Sequence, residues 1–151
     1  YFQQIIRDFV SRIYKKAVVK YNANQMYALV NDIESYPSFL PWCTNANIID
    51  RDENSLTASV CISIGKIKKI FTTLNTMQED TSINMKLIQG PFKRLDGRWE
   101  FEDSGDGGST VSLVMEFEFK NKILKYTLSG AFKKITDSLV DAFISRANNI
   151  Y

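Results

Sequence analysis

The side chains that could do chemistry in this sequence are carboxylates, lysines and two cysteines, because no histidine occurs among its 151 residues. Ser-His and Cys-His nucleophile pairs, histidine general bases and histidine metal ligands are therefore excluded. Cys43 and Cys61 are too few to form a zinc site by themselves. We expect both to be reduced thiols, with Cys43 a small buried residue. The sequence therefore predicts no metal site and no required cofactor.

A carboxylate or lysine enzyme stays open, although the sequence has no Walker loop and no GxGxxG, HExxH or GxSxG motif. Asp96, Glu100 and Glu102 alternate with apolar residues along one segment, so they are expected on the solvent side of a strand. Carboxylates in that position are poor candidates for a buried acid/base pair. We therefore expect a binding protein rather than an enzyme.

The basic residues form three groups in a chain whose net charge is only +2. So small a net charge gives no strong attraction to nucleic acid or anionic lipid, and such a contact would need a local basic patch. The groups that could form one are Lys66, Lys68 and Lys69; Lys93 and Arg94; and Lys120, Lys122 and Lys125. A solvated surface with interspersed acids is the alternative for all three.

Period-two alternation of apolar and polar residues predicts a run of β-strands. It is clearest where Val111, Leu113, Met115, Phe117 and Phe119 share one face, which indicates a sheet with one dry and one wet side. The predicted strands are 11–21, 56–64, 67–77, 82–89, 94–103 and 109–120, with a weaker one at 44–52. A helix is predicted over 26–31, followed by a short helical turn over 32–36 that Pro37 should stop.

After Asn121 the apolar period changes to three and four residues, which predicts an amphipathic helix of about 25 residues. Gly130 should weaken this helix by about 1 kcal/mol relative to alanine, and could mark a kink or a close contact. The apolar stripe needs the dry face of the sheet as its partner. It consists of Leu128, Ala131, Phe132, Ile135, Leu139, Ala142, Phe143, Ala147 and Ile150.

Three stretches of this α+β chain carry a family resemblance. They are residues 27–43 (YALVNDIESYPSFLPWC), Phe71-Thr72-Thr73 together with Gly90-Pro91-Phe92-Lys93, and Phe117 to Asn121 leading into the last helix. From about Ser11 onward the chain resembles the coenzyme Q-binding START family, which includes RatA-type ribosome-association toxins and proteins once described as oligoketide cyclases. The resemblance implies a helix-grip (START/Bet v 1-like) fold. We expect residues 1–3 to be a tag remnant and residues 4–151 to form one START-like domain.

The resemblance also implies a tunnel between the sheet and the last helix that holds ubiquinone or a related polyprenyl lipid and so supports respiration. The facing aromatic residues agree with an apolar cavity, although the same side chains could simply fill a core. The residues expected to contact the ligand are Tyr36, Phe39, Leu40, Trp42, Phe71, Trp99, Phe101, Phe117, Phe119, Phe132, Ile135, Leu139 and Phe143.

Two other functions follow from the same resemblance. A RatA-type toxin would bind the large ribosomal subunit and block subunit association, with rRNA contacted by Lys66, Lys68, Lys69, Lys93 and Arg94. A polyketide cyclase-like enzyme would need a convergent polar pair inside the cavity. No apolar run is long enough to span a bilayer, so we expect a cytoplasmic bacterial protein that could also lie peripherally at the inner membrane.

Overall fold

The computed structural model describes residues 10–151, so the expected tag remnant at residues 1–3 lies outside the described residues. Seven antiparallel strands form one sheet, in the order β1-β7-β6-β5-β4-β3-β2. The strands are β1 (Ser11–Val19), β2 (Cys43–Arg51), β3 (Ser55–Ile64), β4 (Ile67–Gln78), β5 (Ser82–Gln89), β6 (Phe92–Asp103) and β7 (Ser109–Phe119). The predicted strands are confirmed, including the weaker one, with ends shifted by at most two residues.

Two helices and one 3-10 helix complete the fold. Helix α1 (Ala23–Asn31) and the 3-10 helix (Ile33–Ser38) connect β1 to β2, and helix α2 (Lys122–Ile150) follows β7. Asn22 caps α1 by accepting a hydrogen bond from the Gln25 amide at 2.8 Å. Asn121 caps α2 in the same way, accepting from the Leu124 amide at 2.9 Å.

The prediction that Pro37 stops the short helical turn is wrong, because the 3-10 helix continues to Ser38. The bonds that close this segment are donated by residues after the proline. The amides of Phe39 and Leu40 both donate to the Tyr36 carbonyl, at 3.2 and 2.9 Å. The missing N–H of Pro37 therefore does not prevent this turn from closing.

Helix α2 packs against the inner face of a bent sheet. All five alternate residues of β7 from Val111 to Phe119 are buried, as predicted. β-Bulges interrupt the strand register in β2, β5 and β6, and bulges bend the strand that carries them. None of the helices in residues 10–151 is both long and apolar enough to cross a membrane.

The apolar stripe of α2 differs from the prediction at two points. Thr136 and Val140 are also buried, whereas Ile150 is exposed. Ile150 lies in the last turn, where the ring of Tyr151 packs beside that of Tyr21 at 5.7 Å. Thr136 can be buried because its hydroxyl donates to the Phe132 carbonyl of its own helix at 3.0 Å.

Gly130 does not interrupt α2, which is continuous from Lys122 to Ile150, and among the described residues it marks no close contact, since a Cβ built there meets nothing within 4 Å. We therefore predict that Gly130→Ala raises the free energy of unfolding by about 1 kcal/mol, because alanine loses less backbone entropy in a helix. Urea denaturation measures the change. Gly108→Ala is the opposite control, because its Cβ would lie 2.3 Å from the Val19 carbonyl oxygen and should destabilise the protein.

Candidate functional site

The space under the first half of α2 is lined by aromatic rings from four elements. Phe132 of α2 lies 4.7 Å from Phe117 and 5.0 Å from Phe92, measured between ring centroids. Phe92 also stacks on Phe119 at 4.9 Å and on Phe71 at 5.3 Å. We call these five rings the phenylalanine cluster.

A second group of rings surrounds Phe143 in the second half of α2. The centroids of Tyr36, Phe39 and Trp99 each lie 5.4 Å from that of Phe143. Phe101 stacks on Trp99 at 6.2 Å. This half of the interior is therefore packed by edge-to-face and stacked rings.

Some of the residues that were expected to contact the ligand lie in a separate core layer. Leu40 is fully buried with Ile33 and Cys43 under the 3-10 helix. Trp42 and Leu139 pack on the edge of the same layer.

A narrow gap remains between β3, β4 and the first half of α2, with about 20 Å³ of free volume. That volume is of the order of one water molecule. Four of the thirteen expected ligand contacts line it: Phe71, Phe119, Phe132 and Ile135. The lining also includes Ile62, Ile64, Ile67, Lys69, Phe92, Leu128 and Ala131. The interior is thus filled mainly by its own side chains, and ligand contact by the thirteen residues stays a prediction.

Sequence reasoning missed the isoleucines and Phe92 as lining residues, although a signal for them was available. Ile62, Ile64, Ile67 and Phe71 alternate along β3 and β4 with the same period that identified the dry face of β7. Lys69 belongs to that same inward register, and its half-buried side chain lines the gap.

Tyr36 and Cys43 carry two of the polar groups of the interior. Burial raises the pKa of the Tyr36 phenol well above its usual value, and its hydroxyl donates to the Val30 carbonyl. Burial also raises the pKa of the Cys43 thiol, whose sulfur donates to the Asn45 carbonyl at 3.6 Å. Both groups are therefore held neutral, which disfavours a nucleophilic role.

Two of the three expected outward carboxylates form hydrogen bonds on the solvent side of the sheet. Asp96 accepts from Arg94 at 3.1 Å and Glu100 from Arg98 at 2.7 Å, whereas Glu102 is simply exposed. Among the described residues, no carboxylate lines the gap. Within residues 10–151, no cluster of three or more His, Cys, Asp or Glu side chains is placed to hold a metal ion.

The lysine groups converge at one end of the sheet, because antiparallel strands bring alternate connections together. The Lys120 amide donates to the Pro91 carbonyl at 3.2 Å, which joins the β7–α2 junction to the β5–β6 turn. Lys69 and Phe119 line the same gap, which brings the β3–β4 hairpin to that junction. We call this region the basic end. It contains Lys66, Lys68, Lys69, Lys93, Lys120, Lys122 and Lys125.

Two of the five basic residues that were expected to contact rRNA are partly or fully paired with acids. Arg94 donates to Glu116 at 2.8 Å as well as to Asp96, so its charge is neutralised on the outer face. The Lys93 ammonium lies 3.9 Å from Glu118. In the part of the chain that the structure describes, Lys66 and Lys68 are exposed and form no salt bridge.

The three connections at the opposite end of the sheet carry acids. Asp52 and Glu53 lie between β2 and β3, Glu79 and Asp80 between β4 and β5, and Asp106 between β6 and β7. The small net charge therefore conceals a separation of charge along the molecule, with the basic end beside the gap.

A family model described as polyketide cyclase / dehydrase and lipid transport matches residues 19–144. The ribosome association toxin RatA of Escherichia coli K12 is 40% identical over 140 residues, which is 93% of this chain and 89% of that protein. The mitochondrial coenzyme Q-binding protein COQ10 of Dictyostelium discoideum is 26% identical over 137 residues, or 88% of this chain and 67% of that protein.

Two solved structures show the same fold at low identity. The Zhui aromatase/cyclase from Streptomyces sp. R1128 superposes with a TM-score of 0.82 over 92% of this chain and 94% of that one, at 10% identity. A START superfamily protein from Mycobacterium smegmatis gives 0.79 over 93% and 99%, at 18% identity. With its helix-grip architecture and a family match over most of its length, the chain belongs to the START-like family of polyketide cyclase / dehydrase and lipid transport proteins.

Proposed function

We propose that this protein associates with the large ribosomal subunit through its basic end and inhibits translation by blocking subunit association. The observation that carries the proposal is the convergence of seven lysines from three connections on one end of a chain whose net charge is only +2. RNA presents a dense array of phosphates, and each lysine that meets one releases a counterion. Support also comes from the 40% identical relative, which is named a ribosome association toxin.

The β3–β4 hairpin is the part of the basic end best placed to meet RNA. Lys66 and Lys68 are both exposed there, and β4 extends five residues beyond Thr72, where its pairing with β5 begins. Gly65 has a φ of 57° in this turn, a conformation that glycine adopts without strain. The hairpin therefore presents two lysines beyond the adjacent strand.

We predict that Lys66→Glu/Lys68→Glu lowers binding to purified large subunits by tenfold or more at moderate salt. The slope of log affinity against log salt should also fall by roughly two, about one for each lost phosphate contact. Co-sedimentation over a salt series measures both quantities. Lys86→Glu/Lys134→Glu is the matched control, because it changes the net charge equally at two exposed lysines away from the basic end.

If the control variant loses as much binding, the loss comes from net charge alone, and the proposed site is contradicted. If the hairpin variant binds with the wild-type affinity and salt slope, the hairpin does not contact the large subunit. Sucrose-gradient profiles after expression in cells test the consequence, since a functional toxin should increase free subunits at the expense of whole ribosomes.

We propose a second function, the binding of a polyprenyl lipid such as ubiquinone in the gap under α2. The observation that favours it is the lining of this gap, where Lys69 is the one charged residue among aromatic and aliphatic side chains. An ammonium at the rim of an apolar slot could donate a hydrogen bond to a quinone carbonyl. The relative named a coenzyme Q-binding protein supports the proposal.

A ligand must displace side chains to enter, because the free volume is about 20 Å³. Burying roughly 300 Å² of isoprenoid surface contributes about 7 kcal/mol, which opposes the loss of packing between Phe132 and its neighbours. Side chains of the phenylalanine cluster would therefore rotate, or α2 would move away from β3 and β4, as the ligand enters.

We predict that Ala131→Phe reduces ubiquinone uptake about tenfold or more, since Ala131 lines the gap and a phenyl group there would occupy its remaining space. Ala142→Phe is the matched control, because Ala142 is also half-buried on α2 but packs under the 3-10 helix instead. Uptake is measured by native mass spectrometry after incubation with a short-chain ubiquinone. Thermal melts establish that both variants fold. The proposal fails if the wild type takes up no quinone, or if Ala131→Phe binds as much as the control.

A further inference from the structure

The first turns of α2 place large apolar side chains in water beside lysines. Ile123 is 77% exposed and Tyr126 is 87% exposed. They are three residues apart, so they lie on the same side of the helix, and Lys122 and Lys125 have the same spacing beside them. Such exposure is not needed for folding, because Leu128 and Phe132 already anchor this half of α2 to the sheet.

The same turns border an open groove of about 640 Å³. Its lining includes Lys93, Lys120, Lys122, Lys125 and Tyr126. Glu118 is the one acid in this lining, and it is already paired with Lys93. The groove is therefore strongly cationic, with an aromatic ring on its rim.

The groove is adjacent to the gap under α2, because Phe119 lines both. The cationic groove therefore lies beside the apolar lining of the interior.

We propose that the start of α2 is a docking surface for an anionic lipid bilayer, with Ile123 and Tyr126 inserting at the level of the headgroups and the four groove lysines contacting lipid phosphates. Lysines beside an anionic surface strengthen binding by about fivefold each. Exposed aliphatic and tyrosine side chains gain by entering the interfacial region. Ile123 is the residue that favours lipid over RNA, since an exposed aliphatic side chain gains by entering the interfacial region and cannot stack on a base, whereas lysines and a tyrosine suit either partner.

The test is flotation of the full chain with vesicles of phosphatidylcholine alone or of phosphatidylcholine mixed with phosphatidylglycerol. We expect the wild type to float with the mixed vesicles only. Ile123→Ser/Tyr126→Ser should reduce the bound fraction about tenfold or more. The matched control is Tyr14→Ser/Val18→Ser, which removes an aromatic and an aliphatic side chain that are 58% and 77% exposed on β1. This control should bind like the wild type.

A charge variant tests the contribution of the lysines separately from that of Ile123 and Tyr126. Lys122→Gln/Lys125→Gln should lower binding to the mixed vesicles and reduce its dependence on salt. The proposal is overturned if the wild type ignores mixed vesicles, if the α2 double variant floats as well as the β1 control, or if the charge variant is unaffected. It is also overturned if the wild type binds single-stranded RNA through Tyr126 but not vesicles. Ile123→Ser/Tyr126→Ser leaves every lysine of the basic end and Ala131 unchanged, and flotation with vesicles is a separate readout from subunit co-sedimentation and quinone uptake, so failure here is distinguishable from failure of either proposed function.

Discussion

The packing of α2 into the concave face of the sheet is the contact on which the other features of this protein depend. Phe132 and Phe143 are its two anchors, eleven residues or about three turns apart on the same side of the helix. Each contacts a different ring cluster. Burying two phenylalanines in a core supplies several kcal/mol, which holds a long helix that Gly130 and the threonines weaken. The bulges in β2, β5 and β6 bend the sheet around that helix.

The same fold gives the two ends of the sheet opposite charge. Antiparallel strands of similar length reverse at alternate ends, so every second connection lies at the same end. The lysines occupy the connections at the start of α2, and the acids occupy those at the other end. Groups separated by more than fifty residues in sequence become neighbours without any direct bond between them. A net charge of +2 says nothing about this arrangement, because it sums two opposite ends.

Much of the fold could be predicted from the sequence, because period-two and period-four patterns report which face of an element is buried. The pattern of β7 is almost ideal, and its inward residues are all buried. The behaviour of Pro37 could not be predicted from the rule for residues before proline, because it depends on amides beyond the proline. Ile150 follows the helical period but is exposed, since the period does not report where the packed partner ends.

The candidate site was harder to predict from the sequence than the fold, and the reason is physical. The alternation identifies inward residues, but the volume left between them depends on rotamers and on differences of about an ångström in the separation of α2 and the sheet. Phe92 shows the difficulty, since it begins β6 just before a bulge and contacts four other phenylalanines. The charge of Arg94 was equally difficult to predict. Glu116 on the neighbouring strand neutralises it, and this ion pair is visible only once the pairing of β6 with β7 is known.

The lining of the gap under α2 is almost entirely apolar. A cyclase of this architecture needs polar groups that converge on a substrate, and likeness at 10% identity to an aromatase/cyclase carries only the fold. Among residues 10–151, no carboxylate lines the gap, and burial raises the pKa of the Tyr36 phenol and of the Cys43 thiol, so both stay neutral. Lys69 is the one charged residue that those described residues contribute to the lining, and it belongs to the basic end. The alternation of β3 and β4 places this lysine on the inward face, where sequence reasoning had expected only apolar side chains.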